Sequence, residues 1–185
     1  MKNNVFDALI LSEMLKEGSA AVFPTDTLPA LSSIPRFAAQ IWHLKKRSFN
    51  KPLILMGGNS EALLDFVLPC ALIDARQMAR SYWPGPLTLV LPICSDSIGM
   101  LNPGSKTVGM RVPNCPLAQT LLLQSGPLAT TSANISGAEP SLDSDQALSV
   151  FPDLPFLGPL PWPKASGMAS SVISWEKPGS WKVLR

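Results

Sequence analysis

The run Ala129-Thr130-Thr131-Ser132-Ala133-Asn134-Ile135-Ser136-Gly137 sets five hydroxyl or amide side chains behind the apolar, strand-like Pro127-Leu128. Such a set at a strand exit offers donors to an oxygen-rich, anionic ligand, although the same residue types also build ordinary turns and helix caps. A second strand-like stretch, Val22-Phe23-Pro24, runs into the triplet Thr25-Asp26-Thr27. A basic cluster, Lys45-Lys46-Arg47, precedes Lys51-Pro52 and the apolar Leu53-Ile54-Leu55. Ligands of α/β sheets sit where strands end, so one shared cleft accounts for all three groups.

Lys45, Arg47 and Lys51 suit phosphate, because a guanidinium grips paired oxygens in a fixed fork while lysine supplies a compact charge. A solvated basic helix end is the plainer reading of the same cluster. Arg111 lies inside the apolar strand pattern Thr107 to Val112, where a buried cation requires an anionic partner, either a ligand or one of the chain's few acids. His43, the single histidine, falls on a helical stretch among Ile41, Trp42 and Leu44 and reads as a packing or surface residue. The Trp83-Pro84-Gly85-Pro86 corner reads as a turn before the next strand.

The elements that must hold these residues alternate along the chain. A helix over residues 5 to 17 places Phe6, Leu9, Ile10, Met14 and, less regularly, Leu15 on one side and stops at Gly18. Strands follow at Ser19 to Phe23, Leu53 to Met56, Pro86 to Ile93, Thr107 to Val112 and Pro127 to Thr130. Helices fall at Arg36 to Lys46, at Glu61 to Tyr82 with a break at Pro69, and at Cys115 to Gln124. Late strands at Ser170 to Ser174 and Trp181 to Leu184 come without a helix between them, so the sheet is mixed and the class is α/β. Pro152 to Pro163 reads as an ordered but irregular crossing loop, with Phe151, Phe156, Leu157 and Trp162 to bury.

A chain of 185 residues with 46% hydrophobic content supports one domain, 1 to 185, with a substantial core. Net charge is only +2, which argues against a polycation, yet no acid occurs between Asp26 and Glu61 while five basic residues do. A local positive field is the consequence. Three widely spaced cysteines, 70, 94 and 115, suit neither a disulfide framework nor a zinc site. A reducing, cytoplasmic setting with no membrane partner fits, since the segment from Met1 to Glu17 mixes apolar residues with Lys2, Asp7, Glu13, Lys16 and Glu17 and no apolar run approaches spanning length.

Taken together, these segments resemble the YrdC/TsaC family, the L-threonylcarbamoyl-AMP synthases that open the pathway to threonylcarbamoyladenosine in tRNA. Matching pieces run from Gly18 to Arg185: Pro24 to Thr27, Lys45 to Leu53, Trp83 to Thr88, Thr107 to Pro113, Ser132 to Gly137, and Ser170-Ser171-Val172. The resemblance implies a twisted mixed sheet with flanking helices and a deep positively charged cavity. It implies a nucleotidyltransferase that joins L-threonine, bicarbonate and ATP and releases pyrophosphate, with Mg2+ accompanying the nucleotide and no fixed protein ligands to the metal. A downstream tRNA-modifying transferase complex, and tRNA or RNA itself, are the implied partners.

By the same resemblance Lys45, Arg47 and Asp26 carry catalysis, and Thr27, Arg111 and Ser171 hold L-threonine or its carbamate. Arg47, Lys51, Thr107, Thr130, Ser132, Asn134, Ser141 and Arg185 contact the nucleotide. Two readings stand for Asp26, which either orients an ammonium or a magnesium-bound water or simply caps a turn. Ser171 replaces the threonine usual in the family's Ser-Thr-Val motif. Leu28-Pro29-Ala30-Leu31 stands where the family has Val-Tyr-Gly-Leu, so the loop beside Thr27 must be shaped differently. Two other functions remain open: a non-catalytic double-stranded RNA or tRNA-binding module, marked by steep salt dependence, and a diverged paralogue that adenylylates another small carbamate or acid.

Overall fold

The structure, a computed structural model, describes residues 4–185; residues 1–3, part of the N-terminal segment read above, lie outside the described residues. Val5–Phe6 (β1) leads into the helix Ala8–Lys16 (α1), followed by Ala21–Phe23 (β2) and Ala30–Ser33 (β3). Next come Ala39–Leu44 (α2), Ile54–Met56 (β4), Glu61–Leu64 (α3), Pro69–Tyr82 (α4) and Leu87–Pro92 (β5). Thr107–Arg111 (β6), Pro116–Ser125 (α5), Leu128–Ser132 (β7) and Ser144–Val150 (α6) continue the alternation. Phe156–Leu157 (β8), Ser171–Lys177 (β9) and Ser180–Val183 (β10) complete it.

The strands form one twisted, mixed sheet of ten, ordered β1-β8-β2-β3-β7-β4-β6-β5-β9-β10. Side chains alternate between its two faces, and the two faces have different fates. One face, including Leu31, Ala129, Leu55, Met110 and Leu89, is sealed by helices: α2 contributes Ile41 and Trp42, and α4 contributes its small-residue stripe Ala71, Ala75 and Ala79. Under the other face α1 packs along α5, covering Ala21, Phe23, Ala30, Met56 and Leu128. The rest of that second face is left without a helix.

Proline sets several of the boundaries by filling positions where an N–H has no helical partner. Pro69 and Pro116 open α4 and α5, so the break expected at Pro69 separates α3 from α4. The Pro152 to Pro163 loop is ordered as expected: it supplies β8, which lies parallel between β1 and β2, and Trp162 stacks on Phe156 with ring centroids 5.6 Å apart.

Three expectations need correction. Phe6 belongs to a strand, and α1 buries Leu11, Ser12 and Leu15 while Leu9 and Ile10 are 61% and 49% exposed. Asp7 caps the helix through Ile10 N–H at 2.9 Å, which starts it three residues later than expected and turns a different stripe toward α5. The strand expected to end at Thr130 runs on through Thr131 and Ser132 in β7, paired on one side with β3, so the polar loop starts two residues later. Finally, β1, β3, β8 and α6 had no counterpart in the sequence reading. All three cysteines are free, and among the described residues no helix is long and apolar enough to cross a membrane.

Candidate functional site

The uncovered part of the second face is the floor of a cavity of about 370 Å³, within the range of small-molecule sites. Its floor is read from the register. Ile54 pairs with Thr130 on one side and Gly109 on the other, and Gly109 pairs with Val90. A neighbouring row runs through Met56 and Arg111, and Ala30 pairs with Ser132 nearer the β3 edge. Arg47, Arg111 and Arg185 line the space, and no acidic side chain does.

Arg111 is the best-defined cation. It is 2% exposed, and donates from Nε to Gly85 O at 3.0 Å, from Nη1 to Thr27 Oγ1 at 2.8 Å and from Nη2 to Asp26 Oδ1 at 2.6 Å. Of a guanidinium's five N–H donors these use three, which leaves one on each Nη nitrogen for a ligand. Burial pulls its pKa down, and the Asp26 charge and hydrogen bond work against that loss. Asp26 also accepts Asn114 N–H at 3.0 Å, so its role here is to anchor Arg111. Thr27 has its proton assigned by elimination: Thr25 Oγ1 donates to Leu28 O at 2.7 Å, so Thr27 Oγ1 donates to Thr25 and accepts from Arg111.

The basic cluster divides at a helix end. Lys46 adopts a left-handed φ of 51°, Arg47 N–H reaches back to Trp42 O and Lys46 N–H to His43 O, a Schellman closure of α2. As a result Lys45 turns inward and Arg47 outward to the cavity. Lys45 is 1% exposed and does not line the cavity; its Nζ donates to Ser132 O at 2.5 Å, Asn134 O at 2.6 Å and Asn134 Oδ1 at 2.9 Å. Burial and the neighbouring Arg47 pull its pKa down to about 7. Arg47 donates to Pro52 O at 2.9 Å and, more loosely, to Thr131 Oγ1, while its buried Nε has no partner. Lys51 is exposed and outside the lining.

The polar run splits in the same way. Thr130, Thr131 and Ser132 line the cavity, whereas Asn134 spends both ends inside the turn. Its Oδ1 accepts from Lys45 and Ser132 Oγ, and its Nδ2 donates to Ile135 O and Ala138 O. Ser141 Oγ is similarly committed, to Ala133 O at 2.6 Å. Thr107 stands one step behind the lining, its carbonyl holding the side chain of Asn102, which does line it. Ser171 is exposed and points to the opposite face; Ser170 and Val172 are the lining residues of that motif. Arg185 lines the mouth, with Nε and Nη2 donating to Ser170 O at 3.1 and 3.0 Å. His43 is exposed and sits edge-on to Phe49, 5.4 Å between centroids.

Thr88, Asn102, Gly109 and Ser170 were not singled out, although the two-residue alternation from Arg111 to Gly109 and from Val172 to Ser170 carries the signal. Gly109 is the lowest point of the floor, since a Cβ there would lie 3.2 Å from Thr88 Cγ2 and 3.6 Å from Ile54 Cγ1. Gly109→Val is expected to fill the space beneath a ligand, lowering kcat/KM by about 10²-fold, the scale of an ångström misplacement, and to cost about 1–3 kcal/mol of stability by pressing on Thr88. Parallel turnover and thermal-melting measurements check this.

A cavity on an open α/β sheet, carrying three arginines and a row of hydroxyls, has the makings of a site for an anionic ligand. The chain belongs to the Sua5/YciO/YrdC family, described as "Telomere recombination", whose model matches residues 13–185. It is 35% identical over 133 residues to the threonylcarbamoyl-AMP synthase of Yersinia enterocolitica, covering 69% of this chain and 70% of that one. It is 30% identical over 180 residues to the mouse protein of the same name, covering 92% of this chain and 63% of that one. Among solved structures, P. abyssi Sua5 complexed with L-threonine superposes with a TM-score of 0.86 at 28% identity, covering 96% of this chain and 53% of that one. The chain thus spans about half the length of the archaeal protein and 37% of the Bacillus subtilis relative.

Proposed function

We propose that this chain is an L-threonylcarbamoyladenylate synthase, a nucleotidyltransferase that forms threonylcarbamoyl-AMP and pyrophosphate from L-threonine, bicarbonate and ATP. The observation that carries the reading is the buried Arg111, which keeps two N–H donors unused at a cavity lined by two further arginines and by no Asp or Glu side chain. Relatives at 30 to 35% identity bear that enzyme's name, and the superposed Sua5 structure holds L-threonine.

In this reaction the threonine amine and bicarbonate give a carbamate and water. A carbamate oxygen then attacks the α-phosphorus, and the bond to pyrophosphate breaks with its electron pair leaving on oxygen. Anion meets anion, so the protein's task is to orient and neutralise. Arg111 takes the amino-acid carboxylate in its remaining fork, with Asp26 and Thr27 fixing the plane of that fork. Arg47 and Arg185, at separate points of the cavity, take phosphate oxygens, and the unpartnered Arg47 Nε gains an acceptor there. Thr130, Thr131 and Ser132 supply hydroxyl and backbone groups beside them, and Lys45 with Asn134 holds their turn in place. Mg2+ travels with the triphosphate in this reading, which suits a lining that offers hydroxyls and arginines but no Asp or Glu side chain. The product is a labile mixed anhydride, whose consumer is a transferase acting on a tRNA amine.

The test is ATP- and bicarbonate-dependent pyrophosphate release with threonine, the adenylate being identified by mass. Arg47→Ala is expected to raise KM for ATP and cut kcat/KM by about 10²-fold or more, with a much smaller loss of stability because the half-buried side chain gives up only one firm hydrogen bond, to Pro52 O. Equal losses of melting temperature and turnover would make Arg47 structural.

A further inference from the structure

We propose that Asp74, on α4 and outside the cavity, is a positioning residue for the nucleotide: it pins the register of the β9–β10 hairpin and so sets the aim of Arg185. The proposal rests on the synthase reading and deepens it. Asp74 Oδ2 accepts both Trp175 Nε1–H at 2.7 Å and Gly179 N–H at 2.8 Å. Trp175 belongs to β9, and Gly179, at a φ of 72°, to the turn between the two strands. One carboxylate oxygen therefore ties helix, strand and turn together. Both bonds favour the ionised carboxyl and hold its pKa below the ordinary value.

The hairpin needs such a tie because it contains two registers. Ser180 pairs with Lys177 at the turn, but Trp181 pairs with Trp175, so Glu176 is an extra residue bulged out of β9. Lys182 and Val183 keep the shifted register, opposite Ser174 and Ile173. A second bulge then cancels the first. Leu184 N–H and Arg185 N–H both donate to Val172 O, at 2.8 and 3.2 Å, while Val172 N–H donates to Arg185 O at 3.0 Å, so two residues face one. Bulges bend a strand and re-aim its side chains, and this one brings Leu184 and Arg185 together into the cavity lining. Without the first bulge the second has no cause. The register of the turn would run straight on, Trp181 would leave the core, and Leu184 would turn away from the cavity, taking with it the bend that aims Arg185. β10 ends the sheet and pairs with β9 alone, so such a slip breaks no other ladder. Trp175 and Gly179 flank the bulged Glu176, and Asp74 fixes the distance between them.

The experiment measures the Kd for ATP by calorimetry, alongside pyrophosphate release with threonine. Asp74→Leu, similar in size but unable to accept either bond, is expected to raise Kd and KM for ATP by about tenfold, below the 10²-fold scale of a full ångström misplacement. KM for threonine is expected to stay within about twofold of native, because Arg111 is held by Gly85, Thr27 and Asp26. Asp74→Asn is expected to restore native values, since one amide oxygen can accept both donors. In an Arg185→Ala background, Asp74→Leu is expected to change ATP affinity by less than about twofold further. Native ATP affinity in Asp74→Leu overturns the proposal, as does an equal loss in the two backgrounds. Should Asp74→Leu not fold, Trp175→Phe removes one of the two donors and is expected to weaken ATP binding about threefold, native affinity there overturning the proposal equally. A native chain that binds ATP but releases no pyrophosphate overturns the synthase reading, and the ATP affinities still decide the role of Asp74.

Discussion

Arg111→Lys is expected to lower kcat/KM for threonine by about 10³-fold or more, about 4 kcal/mol of transition-state stabilisation, while the chain stays folded. The reason is geometric. Arg111 makes bonds in three directions at once, to Gly85 O, Thr27 Oγ1 and Asp26 Oδ1, and still presents a planar pair of donors to the cavity. A lysine keeps the charge beside Asp26 but offers a single point, so it cannot hold the loop and the ligand together. Arg111→Ala removes the charge as well and leaves the largely buried Asp26 carboxylate without its partner, a change expected to cost about 3–5 kcal/mol of stability. Melting curves and pyrophosphate release on both variants separate the two effects. A lysine variant with native turnover would remove Arg111 from the site.

The second large effect is on the fold beneath the site. Lys45→Met is expected to destabilise the chain by about 1–3 kcal/mol, because Asn134 O loses its donor, while Ser132 O keeps Asn134 N–H and Asn134 Oδ1 keeps the Ser132 hydroxyl. It also has a pH signature. The folded pKa is about 7, against 10.5 for the free side chain, so between those values the unfolded chain binds more protons than the folded one and stability rises with pH. The contribution is fully present above the unfolded value and lost as pH falls through about 7. Urea unfolding across this window is expected to show that slope in the native chain and a weaker one in Lys45→Met. Parallel slopes would mean that Lys45 does not titrate there.

The sequence disclosed the sheet class, most of the longer elements and the residues that meet in the cavity, since Thr27, Arg47, Arg111, Thr130, Ser132 and Arg185 all line it. It could not disclose which way Lys45 faces, because that depends on a left-handed Lys46, a conformation that glycine advertises and lysine does not. Nor could it choose the buried stripe of α1, where Leu9 and Ile10 compete with Leu11 and Leu15 and only the presence of α5 decides. β1 and β8 are two residues each, below any periodic signal, and exist because they pair with one another. Ser170 and Ser171 illustrate a finer limit: a motif locates a strand, but one residue of register determines which hydroxyl meets the ligand.

The order of strands in the sheet governs when the cavity floor can first assemble in a growing polypeptide. Each row of the floor draws on strands separated by long stretches of sequence, with β7 inserted between β3 and β4 and β9 laid beside β5. No N-terminal fragment on the ribosome can therefore assemble the floor early. The floor closes only once β9 has been made and laid beside β5, so the groups that line it meet late in the folding of this domain.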